Sequence, residues 1–262
     1  LKCYLGICLA FGFLGCSGSL VRDSCISDAP GMQDTLITGQ QLAANEVVFT
    51  VMGPVNDTAL AISDVLVSEG IEGAFFVSGE SILDRPSSIL ATIFNQGHRI
   101  ANGSYSDQSL LSSKSPIVEV RQTDYLITPF TRNNIYLFRP PNLEFDQRLA
   151  SQLNQAGLVK YVGPIGNDHA TQSDIDCWSN DLDSSSCADE IFNTVASQDR
   201  GILQIHSSDN RALALSQSLV TLFKDSGYSF VSIDQVPDIS SALQANGATV
   251  GDTEVTNCND YD

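Results

Sequence analysis

The chain is short of positive charge, of histidine and of tryptophan. Its 262 residues carry 13 Lys and Arg against 31 Asp and Glu, a formal charge of −18, with 3 His and 1 Trp. So acidic a chain disfavours nucleic acid and anionic membrane surfaces as partners, because both select basic faces. It suits a neutral or cationic polymer, or simply keeps an exported protein soluble. No cysteine pair has the CxxC spacing of a zinc knot or redox motif. There is no repeat, no low-complexity tract, no linker rich in Pro, Gly or Ser, and no apolar stretch after the first residues long enough to span a bilayer.

What is present begins with an apolar run, Tyr4 to Leu14, behind a single charge at Lys2 and ahead of the small residues Gly15, Cys16, Ser17 and Gly18. That layout predicts a secretory signal peptide over residues 1–18, too short and poorly flanked for a stable spanning helix. A secreted product of extracellular or cell-wall location follows, its domain running over 25–258. Removing the leader leaves Cys25, Cys177, Cys187 and Cys258, which in an exported domain read as two disulfides. Of three possible pairings, Cys25–Cys258 would pin the two ends together and Cys177–Cys187 would close a local loop.

From about Asn45 onward, short β-rich runs alternate with helical patterns. Strands are expected at 47–52, 74–77, 99–102, 135–138, 159–162, 201–206 and 228–233. Helices are expected from about 59, over 87–95, 116–127, 145–156, 188–197 and 213–224, with Gly70, Gly97, Gly157 and Gly227 as stops. Such alternation predicts an α/β fold of parallel βα units in one domain, with strands apolar along their length. Functional groups in such folds gather where strands give way to loops at their C-terminal ends. Met52–Asn56, Asn102–Asp107, Arg139–Asn142 and His206–Asp209 all fall there.

Five stretches carry a family resemblance in order. They are Phe49-Thr50-Val51-Met52-Gly53-Pro54, Gly97 to Leu110 with Gly73 to Gly79 before it, Leu137-Phe138-Arg139-Pro140-Pro141, the loop Asp176-Cys177-Trp178-Ser179-Asn180-Asp181, and Gly201 to His206. Together they resemble the polysaccharide deacetylases of the NodB-homology, chitin-deacetylase-like type. The resemblance implies a distorted (β/α) barrel of fewer than eight strands. It also implies hydrolysis of N-acetylglucosamine amides, assisted by zinc or another divalent metal. A carboxylate serves as base in that chemistry, and a histidine protonates the leaving amine.

The chain departs from the family pattern where the chemistry sits. Val51 and Met52 stand at the two aspartate positions of the first motif, and Gly103 and Asp107 stand at the two metal-binding histidines of the second motif, Gly97 to Leu110. An aliphatic side chain accepts no proton, a thioether is a poor ligand for a hard or borderline ion, and one carboxylate falls far short of a zinc site. The expectation is therefore no metal and no cofactor. His206, Arg139 and Asp181 remain as a catalytic remnant, with Asp181 or Asp176 as partner of Arg139 or His206. Trp178, Tyr105 and Pro140 are the candidate substrate-binding residues, Trp178 being equally readable as a core anchor. His98 is expected to make a structural hydrogen bond and His169 to be solvated. Of two glycosylation sequons, Asn102 is expected to be buried and Asn56 accessible.

The leading expectation is a secreted, catalytically inactive member of this family, a monomer that binds chitin or a related polysaccharide or serves structurally at a cell wall. The alternative is an active deacetylase with a rebuilt site around His206, Asp107 and the Asp176–Asp181 loop. A third reading is a protein-interaction module whose outer acidic face does the work.

Overall fold

The computed structural model describes residues 31–84, 88–248 and 250. The expected leader and the Cys25–Cys258 pair lie outside them.

The run 47–52, apolar but for Thr50, makes the first and central strand, β1 (Glu46–Gly53). It pairs in parallel with β2 (Ala74–Val77), which pairs with β3 (Arg99–Asn102). On its other edge β1 pairs with β4 (Arg200–His206), while Ser229–Phe230 (β5) joins only its first two residues. Every pair is parallel, and seven of the eight β1 residues are buried, as a strand covered on both faces requires.

Beyond β3 the sheet continues as single bridges, Asn102 to Phe138 and Leu137 to Val162. The ring closes where the Asp168 N–H donates to the Ile202 carbonyl of β4 at 3.1 Å. The expected strands at 135–138 and 159–162 thus exist as contact points rather than ladders. The segment expected at 228–233 keeps two strand residues before a 3-10 turn at Ile233–Gln235.

Period-2 alternation divides the core in two. Val47, Phe49 and Val51 pack outward with Ile205 and Leu203 against the helices, whereas Val48 and Met52 point into the ring with Phe76, Ala101, Val162 and Ile202. Each large apolar side chain so buried contributes about 1.5–3 kcal/mol. The surrounding helices begin where side chains can cap them. Asn56 accepts from Ala59 N at the start of α1 (Asp57–Ser68), and Asp146 from Leu149 N ahead of Gln147–Gln155. Gly70 and Gly227, both with positive φ, take the left-handed turn that stops a helix.

Three helices were not anticipated, the first of them Gly79–Asp84 directly after β2. Asp174–Ser179 is opened by a capping box between Ser173 and Asp176, and Pro237–Ala245 follows the last strand. Among the described residues no helix is long and apolar enough to cross a membrane. The structure joins Cys177 to Cys187, with Cα atoms 5.6 Å apart.

Candidate functional site

The C-terminal strand ends converge on His206. Its Nδ1 donates to Asp174 Oδ1 at 2.7 Å, and its own backbone N–H donates to Asp174 Oδ2, also at 2.7 Å. Asp174 is wholly buried and sits in the first turn of its short helix, where a negative charge is favoured. The Gln204 amide nitrogen meets His206 Nε2 at 3.0 Å, while Gln204 Oε1 accepts from Asn167 at 3.0 Å. With Asp174 at Nδ1 and Gln204 at Nε2, both ring nitrogens are engaged and the imidazole is fixed in orientation. Such a pair can orient a base, but the nitrogen that would take a proton is already engaged by Gln204.

Neither Asp181 nor Asp176 partners His206. Asp176 is spent on Ser173, whose hydroxyl donates to it at 2.6 Å, and those hydrogen bonds hold its carboxyl below the usual range. Asp181 is exposed and acts on Arg211, which is gripped more directly by Asp209 through bonds of 3.0 and 2.7 Å. The true partner, Asp174, lies two residues before Asp176. The Ser173-x-x-Asp176 spacing could have marked the helix start that places it.

Arg139 does not reach the surface. Its guanidinium is fully buried in the ring and donates to Ile165 O at 3.1 Å, Thr50 Oγ at 2.7 Å and Gly166 O at 2.8 Å, stacked over Phe76 at 4.1 Å. The expected pairing with Asp181 or Asp176 is absent; neutral oxygens take its place. Burial pushes its pKa down to about 9, so it keeps its proton at neutral pH. Arg139 therefore braces the barrel interior and touches no open site.

The four degenerate positions separate by strand geometry. Met52 is buried beside His206 in the β1–β4 register. Val51, one residue earlier, faces the helix-side core, so it does not share the cleft face with Met52. Gly103 is buried against β2, its N–H bonded to Val77 O at 3.0 Å, and a Cβ built there would stand 3.0 Å from the carbonyl oxygens of Phe76 and Val77. Asp107 is exposed at the rim. Partial desolvation raises its pKa and nearby His206 opposes the rise, and its exposure limits what the shift is worth.

The donor set does not fit the family's metal. Among the described residues no three His, Cys, Asp or Glu side chains group as ligands. At the expected positions stand a buried thioether, a glycine pressed against the β2 carbonyls, and one carboxylate.

The other candidates are placed as follows. Pro140 is buried. Trp178 is half-buried against the helix-side core with Arg211 4.2 Å over its ring, which favours the anchor over an open stacking platform. Tyr105 is half-buried, its ring seated where a Gly79 side chain would be. His169 is buried rather than solvated. Its Nδ1 donates to Gln172 O at 3.0 Å, Nε2 accepts from Gln204 N at 2.8 Å, and burial lowers its pKa. His98 is also buried and neutral, accepting from Gly73 N and donating to Ser63 O. Asn102 is buried, as expected, whereas the Asn56 amide nitrogen is committed to Ser207 O at 2.9 Å.

A parallel sheet curled into a ring, its polar groups collected at the strand ends, defines a single-domain α/β barrel of the NodB type. Residues 44–161 match the family model described as polysaccharide deacetylase. Its fold is that of the chitin deacetylase from the fungal pathogen Colletotrichum lindemuthianum, with a TM-score of 0.63 at 18% identity over 77% of this chain and 92% of that one. The peptidoglycan deacetylase PdaC from Bacillus subtilis aligns with a TM-score of 0.58 at 19% identity, covering 77% and 94%. So does BA3943, a CE4 family pseudoenzyme from Bacillus anthracis, at 0.57 and 15% identity, covering 75% and 66%. No curated protein matches the chain.

Proposed function

We propose that the chain is a secreted, non-catalytic polysaccharide deacetylase-like protein that binds an N-acetylglucosamine polymer such as chitin, or serves structurally at a cell wall. One observation carries the reading: where the fold gathers its metal ligands, this chain has buried Met52, Gly103 packed against the β2 backbone, and a lone exposed Asp107. The likeness to a pseudoenzyme of the same fold supports it, and active deacetylases share that fold equally. Exposed Asp107 and half-buried Tyr105 and His206 are what the strand-end rim presents to a sugar chain. The test is calorimetric titration with zinc and cobalt, beside an acetate-release assay on chitooligosaccharides and a chitin pull-down. Retention on chitin with neither metal uptake nor acetate release is expected; metal-dependent acetate release would overturn the reading.

The alternative, an active deacetylase with a rebuilt site, is favoured by the Asp174–His206 pair at 2.7 Å. It predicts acetate release that disappears in His206→Ala whether or not metal is added.

A further inference from the structure

Beside the strand-end rim, a concavity of about 470 Å³ lies between the helices Gly79–Asp84 and Pro116–Ile127. That volume is within the range of about 300–1,000 Å³ occupied by small-ligand sites. Its wall includes Leu83, Tyr105, Val118, Arg121, Gln122 and Tyr125. The exposure here is unusual for apolar side chains: Tyr125 is 81% exposed, Leu83 63% and Val118 49%.

Two features narrow the occupant. The first is charge. In a protein with 31 acidic residues, the lining holds no carboxylate, and its one cation, Arg121, donates to the Ala156 carbonyl. A metal or a polycation finds no counter-charge there, and the one cation has a carbonyl partner already, whereas an uncharged molecule with apolar faces and a polar edge matches the lining. A pyranose ring is such a molecule, and a tyrosine face with an amide beside it, here Tyr125 and Gln122, matches it.

The second is continuity. Tyr105 belongs both to this groove and to the Gly103–Asp107 loop of the strand-end rim. Its ring is pre-set, since a Cβ at Gly79 would stand 2.8 Å from Tyr105 Cδ2 and 2.4 Å from Thr123 Oγ1. Only glycine leaves the ring its seat. A linear polymer lying on the rim would pass over Tyr105 and onto Tyr125.

We propose that the groove between Gly79–Asp84 and Pro116–Ile127 is a distal subsite for the same uncharged N-acetylglucosamine polymer, with Tyr125 as its stacking face and Tyr105 as the link to the rim. This rests on the polysaccharide-binding reading above and extends it. The subsite makes affinity depend on chain length, because only longer oligomers reach Tyr125.

Titration of chitobiose through chitohexaose into the full chain and into Tyr125→Ala and Tyr125→Phe variants tests the proposal. Tyr125 is surface-exposed, so its removal leaves the fold intact. Tyr125→Ala is expected to weaken hexamer binding about 3- to 10-fold, the worth of one aromatic face. Tyr125→Phe keeps hexamer affinity, and chitobiose binding is equal in all three proteins. Hexamer affinity unchanged in Tyr125→Ala would overturn the subsite alone, leaving the rim as the binding site. Absence of binding by the unmodified chain at every length would overturn the polysaccharide reading itself. A shift from dimer to monomer in Tyr125→Ala on sedimentation would overturn it too, by naming a second copy of the chain as occupant.

Discussion

Gly103→Ala tests whether the barrel has closed over the lost ligand position. The family pattern has a histidine there, and histidine needs a Cβ. In this chain that Cβ would stand 3.0 Å from two backbone oxygens, Phe76 O and Val77 O, and 3.1 Å from the Phe76 carbonyl carbon. Gly103 has no left-handed φ to defend, so space alone decides. Both oxygens belong to β2, and Val77 O also accepts the Gly103 N–H at 3.0 Å. Neither can swing aside as a flexible side chain would. The methyl group must therefore push two paired strands apart by a few tenths of an ångström. Overpacking of this kind costs about 1–3 kcal/mol. At about 2 kcal/mol, and about 2–4 °C per kcal/mol for a domain of this size, the melting temperature falls by roughly 4–8 °C. Thermal unfolding followed by circular dichroism measures it. A Gly103→Ala protein that melts at or above the parent temperature would show that the strands yield freely, and the account of the closed ligand position would fail. The consequence for function is direct: side chains for a metal cannot be restored at this position without moving β2.

Three other outcomes follow from the same geometry. Asp174→Ala removes the acceptor of two bonds from His206 and one from Ile175 N; a loss of about 2–4 kcal/mol is expected in denaturant unfolding, with the His206 Nδ1 proton vanishing from the NMR spectrum. His98 and His169 are buried with pKa values held below the ordinary 6.5 by desolvation. The unfolded chain then binds their protons first. Stability is full above about pH 6.5 and is lost as pH falls, at up to about 1.4 kcal/mol per pH unit for each histidine, a slope that His169→Gln should roughly halve in pH-resolved unfolding. Reducing Cys177–Cys187, which spans a separation of 10 residues, should cost about 2–3 kcal/mol, read as a lower melting temperature in the presence of a phosphine reductant.

Much of the frame was legible because its signals are local. A buried run such as 74–77, a Pro116 start and a glycine stop each depend on nearby residues, and the structure places Ala74–Val77 and Pro116–Ile127 where the pattern puts them. The seams were less legible. Segments 135–138 and 159–162 have strand-like composition, yet the ring needs only single bridges from them. The partner of His206 was missed because Asp174, Asp176 and Asp181 are equivalent in composition. Only the turn of a six-residue helix selects Asp174.

By itself, then, the sequence determined the parallel βα frame and the loss of chemistry at four strand-end positions, because alternation and residue identity need no third dimension to be read. Which side chains meet was decided by the tertiary structure alone. It sent Val51 outward and Met52 inward through the two-residue period of β1, and enclosed Arg139 among the neutral oxygens of Thr50, Ile165 and Gly166. It also pressed the β2 carbonyls against Gly103. Contacts between residues far apart in the chain follow from how the ring closes, and no local pattern of residues records that.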